Sequence, residues 1–249
     1  MIIPARFGSS RFPAKILAAE TGRPLVQHVV DQVGQCKQVE RVIVATDDQR
    51  IADALKPFGT RCEMTSPDHQ SGTDRIAEVA RGLDDDIIVN VQGDEPEIEP
   101  ATIDSLIELL QSTDATIATA ATRWPEGADP HDPNLVKVVV SQAGHALYFS
   151  RAPIPYPRDE KSTSQYLVHQ GIYAYRRDFL LEFAAMPQTD LEKTEKLEQL
   201  RALENGHKIS VLITDRAVHG IDTVEQYKAF VERTNTKRNH EVTKPRSGS

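Results

Sequence analysis

Cysteine is scarce in this chain: of 249 residues only Cys36 and Cys62 carry a thiol, far apart and with no second Cys or His at metal-ligand spacing. A disulfide framework and a cysteine-bound zinc are thereby excluded, and a reducing compartment suits the composition. Long apolar runs are missing as well. No uninterrupted stretch approaches the roughly 18 residues that cross a bilayer, and no segment reads as a charged-then-apolar leader, so a soluble, unprocessed, cytoplasmic protein is expected. Positive charge is in deficit, with 29 Lys and Arg against 37 Asp and Glu, a formal net charge of −8. A surface built for nucleic acid or an anionic membrane needs the opposite balance. Internal repeats and low-complexity tracts are also absent. The length is that of one substantial core, expected here over residues 1–236, with 237–249 as a disordered tail that has few apolar anchors.

What is present is a change of period along the chain. The first hundred residues alternate short apolar runs with amphipathic stretches, the pattern of parallel strands joined by crossover helices. Pro24 opens a helix with Leu25, Val26, Val29, Val30 and Val33 on one stripe. "RVIVAT" (Arg41 to Thr46) and "DIIVNV" (Asp86 to Val91) read as buried strands, and Asp47 and Asp48 are placed to cap the helix that carries Ile51 and Leu55. Ile76, Val79, Ala80 and Leu83 mark one further helix and Ile103, Leu106, Ile107 and Leu110 another, with "ATIATAA" as a strand after it. Beyond Asn134, "LVKVVV" and "HALYFS" flank Ser141 to Gly144 as a β-hairpin, so antiparallel strands join the sheet. Leu197, Leu200 and Leu203 with Asn205-Gly206 describe a helix and its stop, and "KISVLIT" a last strand. The fold class is therefore α/β: a mixed, mostly parallel sheet with helices on both faces and an inserted antiparallel hairpin, the hairpin subdomain spanning about 134–176.

Four loops carry chemistry. "IPARFGSSRFPAK" (Ile3 to Lys15) follows the first strand and gathers Arg6, Arg11 and Lys15 around Gly8. From Met1 to Pro24 there are four cations against one acid, a local +3 inside an acidic protein. It matches neither the dinucleotide fingerprint nor a Walker loop, so side-chain cations, rather than backbone amides alone, would compensate a polyphosphate. A solvated basic loop would look the same by composition. "NVQGDEP" places Asp94 just past a buried strand, and "HGIDT" places Asp222 past a later one, with Thr223 and Gln226 as a T-x-x-Q cap. Each aspartate alone suits a turn or cap; together, at the edge where α/β ligands bind, they suit a shared Mg²⁺. "TSPDHQSGTDR" leads through Ser71-Gly72-Thr73 into a helix, offering N–H groups and hydroxyls to a nucleotide with Arg75 one turn inside, or simply an N-cap. His69 has no partner visible in the sequence, and a surface position is expected for it.

In this order, these stretches resemble the 3-deoxy-manno-octulosonate (KDO) cytidylyltransferase family. The likeness continues through "NLVKVV", "ALYFSRAPIPYPRD", "HQGIYAYR", "LEQLRALENGHKI" and "GIDT", from Ile3 to about Val231. It implies a Rossmann-like nucleotide-diphospho-sugar transferase fold, a homodimer, and transfer of CMP from CTP to the anomeric hydroxyl of a KDO-type sugar acid, with release of pyrophosphate, towards lipopolysaccharide. By the same likeness Arg6, Arg11 and Lys15 hold the triphosphate, Ser71 and Arg75 line the nucleotide side, and Asp94 and Asp222 bind catalytic Mg²⁺. Gln92, Arg151, His169, Tyr173, Glu198 and Gln199 are implied for the sugar acid. Read from the residues alone, Arg151 could equally be solvated, Tyr173 could be strand packing, and Glu198 and Gln199 could lie on a wet helix face. Ala14 and Arg23 depart from the pattern, where Gly and Lys are expected; Ala14 is costly if the loop needs a positive φ there. The same reaction on 8-amino-KDO or another sugar acid such as a sialic acid, or a non-catalytic nucleotide-binding module on the same fold, are the competing expectations.

Overall fold

The structure, a computed structural model, describes residues 1–8, 12–158, 166–217 and 220–243. Strand β1 (Ile2–Ala5) pairs in parallel with β2 (Ile43–Thr46), and β2 with β3 (Cys62–Met64). On its other side β1 meets β4 (Ile87–Asn90), also in parallel. The sheet then turns antiparallel: β8 (Leu167–Arg176) runs against both β4 and β5 (Ile117–Arg123), and β9 (Ile209–Thr214) closes the edge parallel to β5. Strands β6 (Lys137–Val140) and β7 (Ala146–Ser150) form the hairpin, hung on β8 through Lys137 opposite Val168.

Both faces of the sheet are covered, which is why its strands read as continuous apolar runs. Adjacent residues point to opposite faces: Ile3, Val44, Val89, Ala118 and Ile172 pack on α1 (Leu25–Val33), α2 (Gln49–Leu55) and α4 (Pro100–Ser112). Their neighbours Ile2, Ile43, Ile88, Ile117 and Tyr173 pack on α3 (Gly72–Ala80), α5 (Arg177–Ala185) and α7 (Leu200–Glu204). Asp48 caps α2 as expected, accepting from the Arg50 N–H at 3.0 Å. The last helix, α8 (Val224–Thr243), docks Tyr227 and Phe230 on Leu25, Ile221 and Phe12. The rings of Phe12 and Tyr227 lie 5.6 Å apart, and the Tyr227 hydroxyl accepts from the Glu20 N–H at 2.9 Å. The C-terminal helix is thus fastened to the opening loop.

Two features differ from the sequence expectation. The stretch 134–176 is divided: β6 and β7 make an edge hairpin, but β8 runs through the middle of the main sheet between β4 and β5. Strand order is a non-local property that no local period encodes. The backbone of α8 is helical to Thr243, across part of the stretch expected as a disordered tail, whereas 244–249 lie outside the described residues.

Ala14 sits at φ 55°, ψ 24°, in the left-handed region. A Cβ there costs about 1–2 kcal/mol, partly offset by the smaller unfolded-state entropy of Ala relative to Gly. Ala14→Gly is therefore expected to stabilise the protein by about 0.5–1 kcal/mol, read as a raised denaturant midpoint at unchanged m-value. A lowered midpoint would show that the loop gains from the methyl group.

Candidate active site

The loops following β1 and β4 and the segment entering α8 meet at the carboxyl edge of the sheet, the usual ligand side of such folds. Lys15, only 9% exposed, ends the basic loop and directs its ammonium inward. Its Nζ donates to Asp94 Oδ2 at 2.5 Å, to Asp222 Oδ1 at 2.9 Å and to the Ile221 carbonyl at 2.9 Å. Burial pulls the Lys15 pKa down, but hydrogen bonds and attraction from both aspartates outweigh it and hold the group above its ordinary value. Two backbone devices bring these groups together. The Ile221 N–H donates to the Asp94 carbonyl at 2.8 Å, tying the two aspartate loops. At Gly93 a Cβ would come within 3.2 Å of the Pro4 carbonyl and 3.3 Å of Ile16 Cδ1, so a side chain there would be crowded and Gly lets the β4 loop press close on β1. The cap read as T-x-x-Q is present: Gln226 Oε1 accepts from the Thr223 N–H at 3.0 Å and Thr223 Oγ1 from the Gln226 N–H at 3.2 Å.

Two carboxylates converging on one cation form a donor set suited to a hard divalent ion. No group of three or more His, Cys, Asp or Glu placed for a metal occurs among the described residues. Such an ion would therefore need further oxygens from a substrate or water.

Beside this cluster lies a cleft of about 300 Å³ that gathers Arg6, Ser71, Gly72, Arg75 and Gln92. Arg6 is exposed at the end of β1. Ser71 caps α3 in a reciprocal box, its Oγ accepting from the Asp74 N–H and Asp74 Oδ2 from the Ser71 N–H, both at 3.1 Å. Arg75 is 5% exposed and spends its guanidinium on Thr65 Oγ1 at 2.5 Å and Asp47 Oδ2 at 2.9 Å. It props the cleft wall from inside. Arg11 lies outside the described residues. The loop itself is held at Phe7, whose ring centroid is 3.4 Å from the Arg50 guanidinium carbon. His69 lines the cleft and is bonded to Glu78, which corrects the surface position expected for it.

Of the residues implied for a sugar, His169, Tyr173 and Glu198 lie on the α3/α5/α7 face, whereas Gln92 lines the cleft just described. Tyr173 stands opposite Asn90 in the β4–β8 register. His169 packs between Phe149 and Tyr173, ring centroids 4.9 and 5.4 Å away, with Nε2 2.9 Å from Thr119 Oγ1. Glu198 accepts from the Thr73 hydroxyl and sits 3.4 Å from the Arg201 guanidinium, which is forked on Glu192 of α6 (Asp190–Glu195) at 2.8 and 2.6 Å. Burial raises the Glu198 pKa against these partners. Glu198 and Ser71 share a second cavity, of about 590 Å³, with Lys193 and Lys196. Gln199 is 5% exposed, a buried position where a wet helix face was one expectation. Arg151 is the least free of the set: Nε donates to the Glu195 carbonyl at 2.7 Å, Nη1 to Pro133 at 2.7 Å and Nη2 to Lys196 at 3.3 Å. The sequence offers no sign of the Lys15–aspartate triangle, of Thr73 on Glu198, or of the buried Glu95, whose pKa burial lifts to about 8.

Burial lowers the His169 pKa to about 3, so the ring is neutral in the folded state. The unfolded chain, titrating near 6.5, takes up that proton first, and stability is lost as pH falls from about 6.5 towards 3, by roughly 1.4 kcal/mol per unit. His169→Gln is expected to flatten the stability-against-pH profile between pH 6 and pH 4, measured by urea unfolding. Parallel profiles for the two proteins would mean that His169 is solvated.

A family model described as Cytidylyltransferase matches residues 1–209. The chain is 52% identical over 243 residues to a 3-deoxy-manno-octulosonate cytidylyltransferase of Trichlorobacter lovleyi, covering 93% of this chain and 96% of the relative. It is 51% identical to one of Geobacter sulfurreducens, covering 93% and 97%. A solved structure of CMP:2-keto-3-deoxy-manno-octonic acid synthetase complexed with CTP superposes with a TM-score of 0.89 at 40% identity, covering 95% of this chain and 98% of that one.

Proposed function

Because the chain belongs to the 3-deoxy-manno-octulosonate cytidylyltransferase family, we propose that it activates KDO by transferring CMP from CTP to the sugar's anomeric hydroxyl, releasing pyrophosphate. The observation that carries the reading is the meeting of Asp94 and Asp222 on one cation beside a basic loop, as transfer between two anionic reactants requires. The relatives' names speak for KDO and for an enzyme, and favour neither the 8-amino sugar nor a non-catalytic module.

The chain's own residues hold and align the reactants. Arg6, Arg11 and Lys15 bind the triphosphate; Ser71 and Arg75 line the nucleotide side, Arg75 by supporting the cleft. Gln92, His169, Tyr173, Glu198 and Gln199 take the sugar acid, with Arg151 positioning the segment around Lys196 that carries Glu198 and Gln199. The neutral His169 ring can act as a hydrogen-bond partner without adding charge. Asp94 and Asp222 hold a Mg²⁺, which when bound supplies charge compensation at the phosphate and a lowered pKa for the attacking hydroxyl. Lys15 shares those carboxylates and carries positive charge to the departing pyrophosphate, while the proton of the acidified attacking hydroxyl passes to water, so that no side-chain base is assigned.

The reading extends to a cytoplasmic homodimer that works towards lipopolysaccharide. In support, no helix among the described residues is long and apolar enough to cross a membrane. Two large apolar side chains are left exposed, Leu147 on β7 at 61% and Ile213 on the edge strand β9 at 44%, as contact with a second copy would use.

The test is pyrophosphate release with CTP and Mg²⁺, comparing KDO, 8-amino-KDO and N-acetylneuraminate, with UTP, ATP and GTP as controls. Release with CTP and KDO alone is expected. Release only with 8-amino-KDO would move the error to the sugar pocket, and silence with every acceptor would return the chain to a binding role.

A further inference from the structure

Buried polar atoms without a hydrogen-bond partner are rare in folded proteins, and each one needs a reason. Five such side-chain atoms occur among the described residues, and three of them, Asn90 Oδ1, Glu95 Oε2 and Gln199 Nε2, are on or beside the segments assigned above to the sugar acid. Asn90 is the case that family resemblance leaves unexplained. It ends β4, two residues before Gln92 and four before Asp94, and is 3% exposed. In the β4–β8 pairing it stands opposite Tyr173, as Ile88 stands opposite Tyr175. Opposed residues share a face, and Ile88 and Tyr175 pack in the α3/α5/α7 layer. The Asn90 carboxamide is therefore on the side that carries Thr73 and Glu198. Tyr173, opposite Asn90, feels the charges of both Glu198 and Glu95.

We infer that Asn90 is an additional sugar-binding residue, its Oδ1 accepting a hydrogen bond from a hydroxyl of the acceptor, an inference that rests on the sugar-acid reading above. An amide oxygen suits a hydroxyl and offers nothing to a carboxylate. A sheet-end position also holds it more rigidly than a loop would. An unpaired buried amide oxygen destabilises the folded state, and a ligand hydroxyl would remove that cost at Asn90 when the acceptor binds.

The test compares wild type with Asn90→Leu, close in size, and Asn90→Ser, which is smaller and serves if the Leu variant fails to fold. Melting temperature, CTP affinity by calorimetry, and KM and kcat for the sugar acid are measured together. Expected is a melting temperature at or above wild type for Asn90→Leu, CTP affinity within about twofold, and a KM for the sugar raised about tenfold or more. A panel of acceptors each lacking one hydroxyl gives the sharper readout: one of them loses affinity with wild type but suffers no further loss with the variant. An unchanged KM, as when an ordered water serves Oδ1, overturns the inference. So does a lowered melting temperature with no selective loss for any deoxy acceptor, which is the mark of a structural role. Calorimetric binding of the sugar acid to wild type separates the two readings: no binding and no turnover with any sugar acid sinks the proposed function, while binding that Asn90→Leu leaves intact sinks only Asn90.

Discussion

Asp94→Asn is expected to abolish turnover, by at least about a thousandfold in kcat, or about 4 kcal/mol of transition-state stabilisation, while leaving the fold intact. The substitution keeps the shape of the side chain and removes its charge. The backbone bond from the Ile221 N–H to the Asp94 carbonyl stays, so the two loops remain joined. Lys15 keeps the Ile221 carbonyl and Asp222 as acceptors. What is lost is half of the carboxylate pair assigned to Mg²⁺, and a neutral amide oxygen is a far weaker donor to a hard ion. Pyrophosphate release beside a thermal melt checks both halves of the expectation. Activity retained in excess Mg²⁺ would overturn the assignment of Asp94 as a ligand.

Lys15→Met should separate binding from stability. With the ammonium gone, Asp94 and Asp222 face each other across a partly buried gap, and like charges there destabilise the fold. Breaking a fully buried pair costs about 3–5 kcal/mol. The Asp222 side chain is 41% exposed, so solvent screens part of the repulsion and a loss of about 1–2 kcal/mol is the fitting figure. Mg²⁺ should restore most of it, since an ion between the two carboxylates binds the native state and not the unfolded chain. Melting curves in chelator and in Mg²⁺ measure this directly. Turnover should fall with CTP affinity reduced about a hundredfold, or about 2.7 kcal/mol, and with sugar affinity affected much less. Equal losses for both substrates would contradict a role for Lys15 at the triphosphate.

Much of the architecture was legible because its signals are local. The Pro24 helix, the Asp48 and Thr223 caps and the Ser141–Gly144 turn each depend on residues within a few positions of one another, and each occurs where its pattern stands. Even the doubt over Ala14 was local, and its positive φ answers it. Sites were legible as ingredients. Arg6, Lys15, Ser71, Asp94 and Asp222 stand in loops that punctuate the apolar runs, where a ligand edge is expected.

Their relations were not legible. That Arg75 braces the wall through Thr65 and Asp47, that Arg151 is occupied by three carbonyls, and that His69 leans on Glu78 follow from neighbours distant in sequence or from turns that only packing sets. The amino-acid sequence by itself determined the helices, the strands, the caps and the chemistry available at each loop, because these follow from propensity and period within a single segment. Tertiary structure alone decided that β8 lies between β4 and β5, and that residues 15, 94 and 222 share one point in space. It also decided that Asn90 is buried opposite Tyr173 with an oxygen left over. Strand order and loop convergence are set by how whole faces pack, and the free energy of that packing belongs to no single stretch of chain.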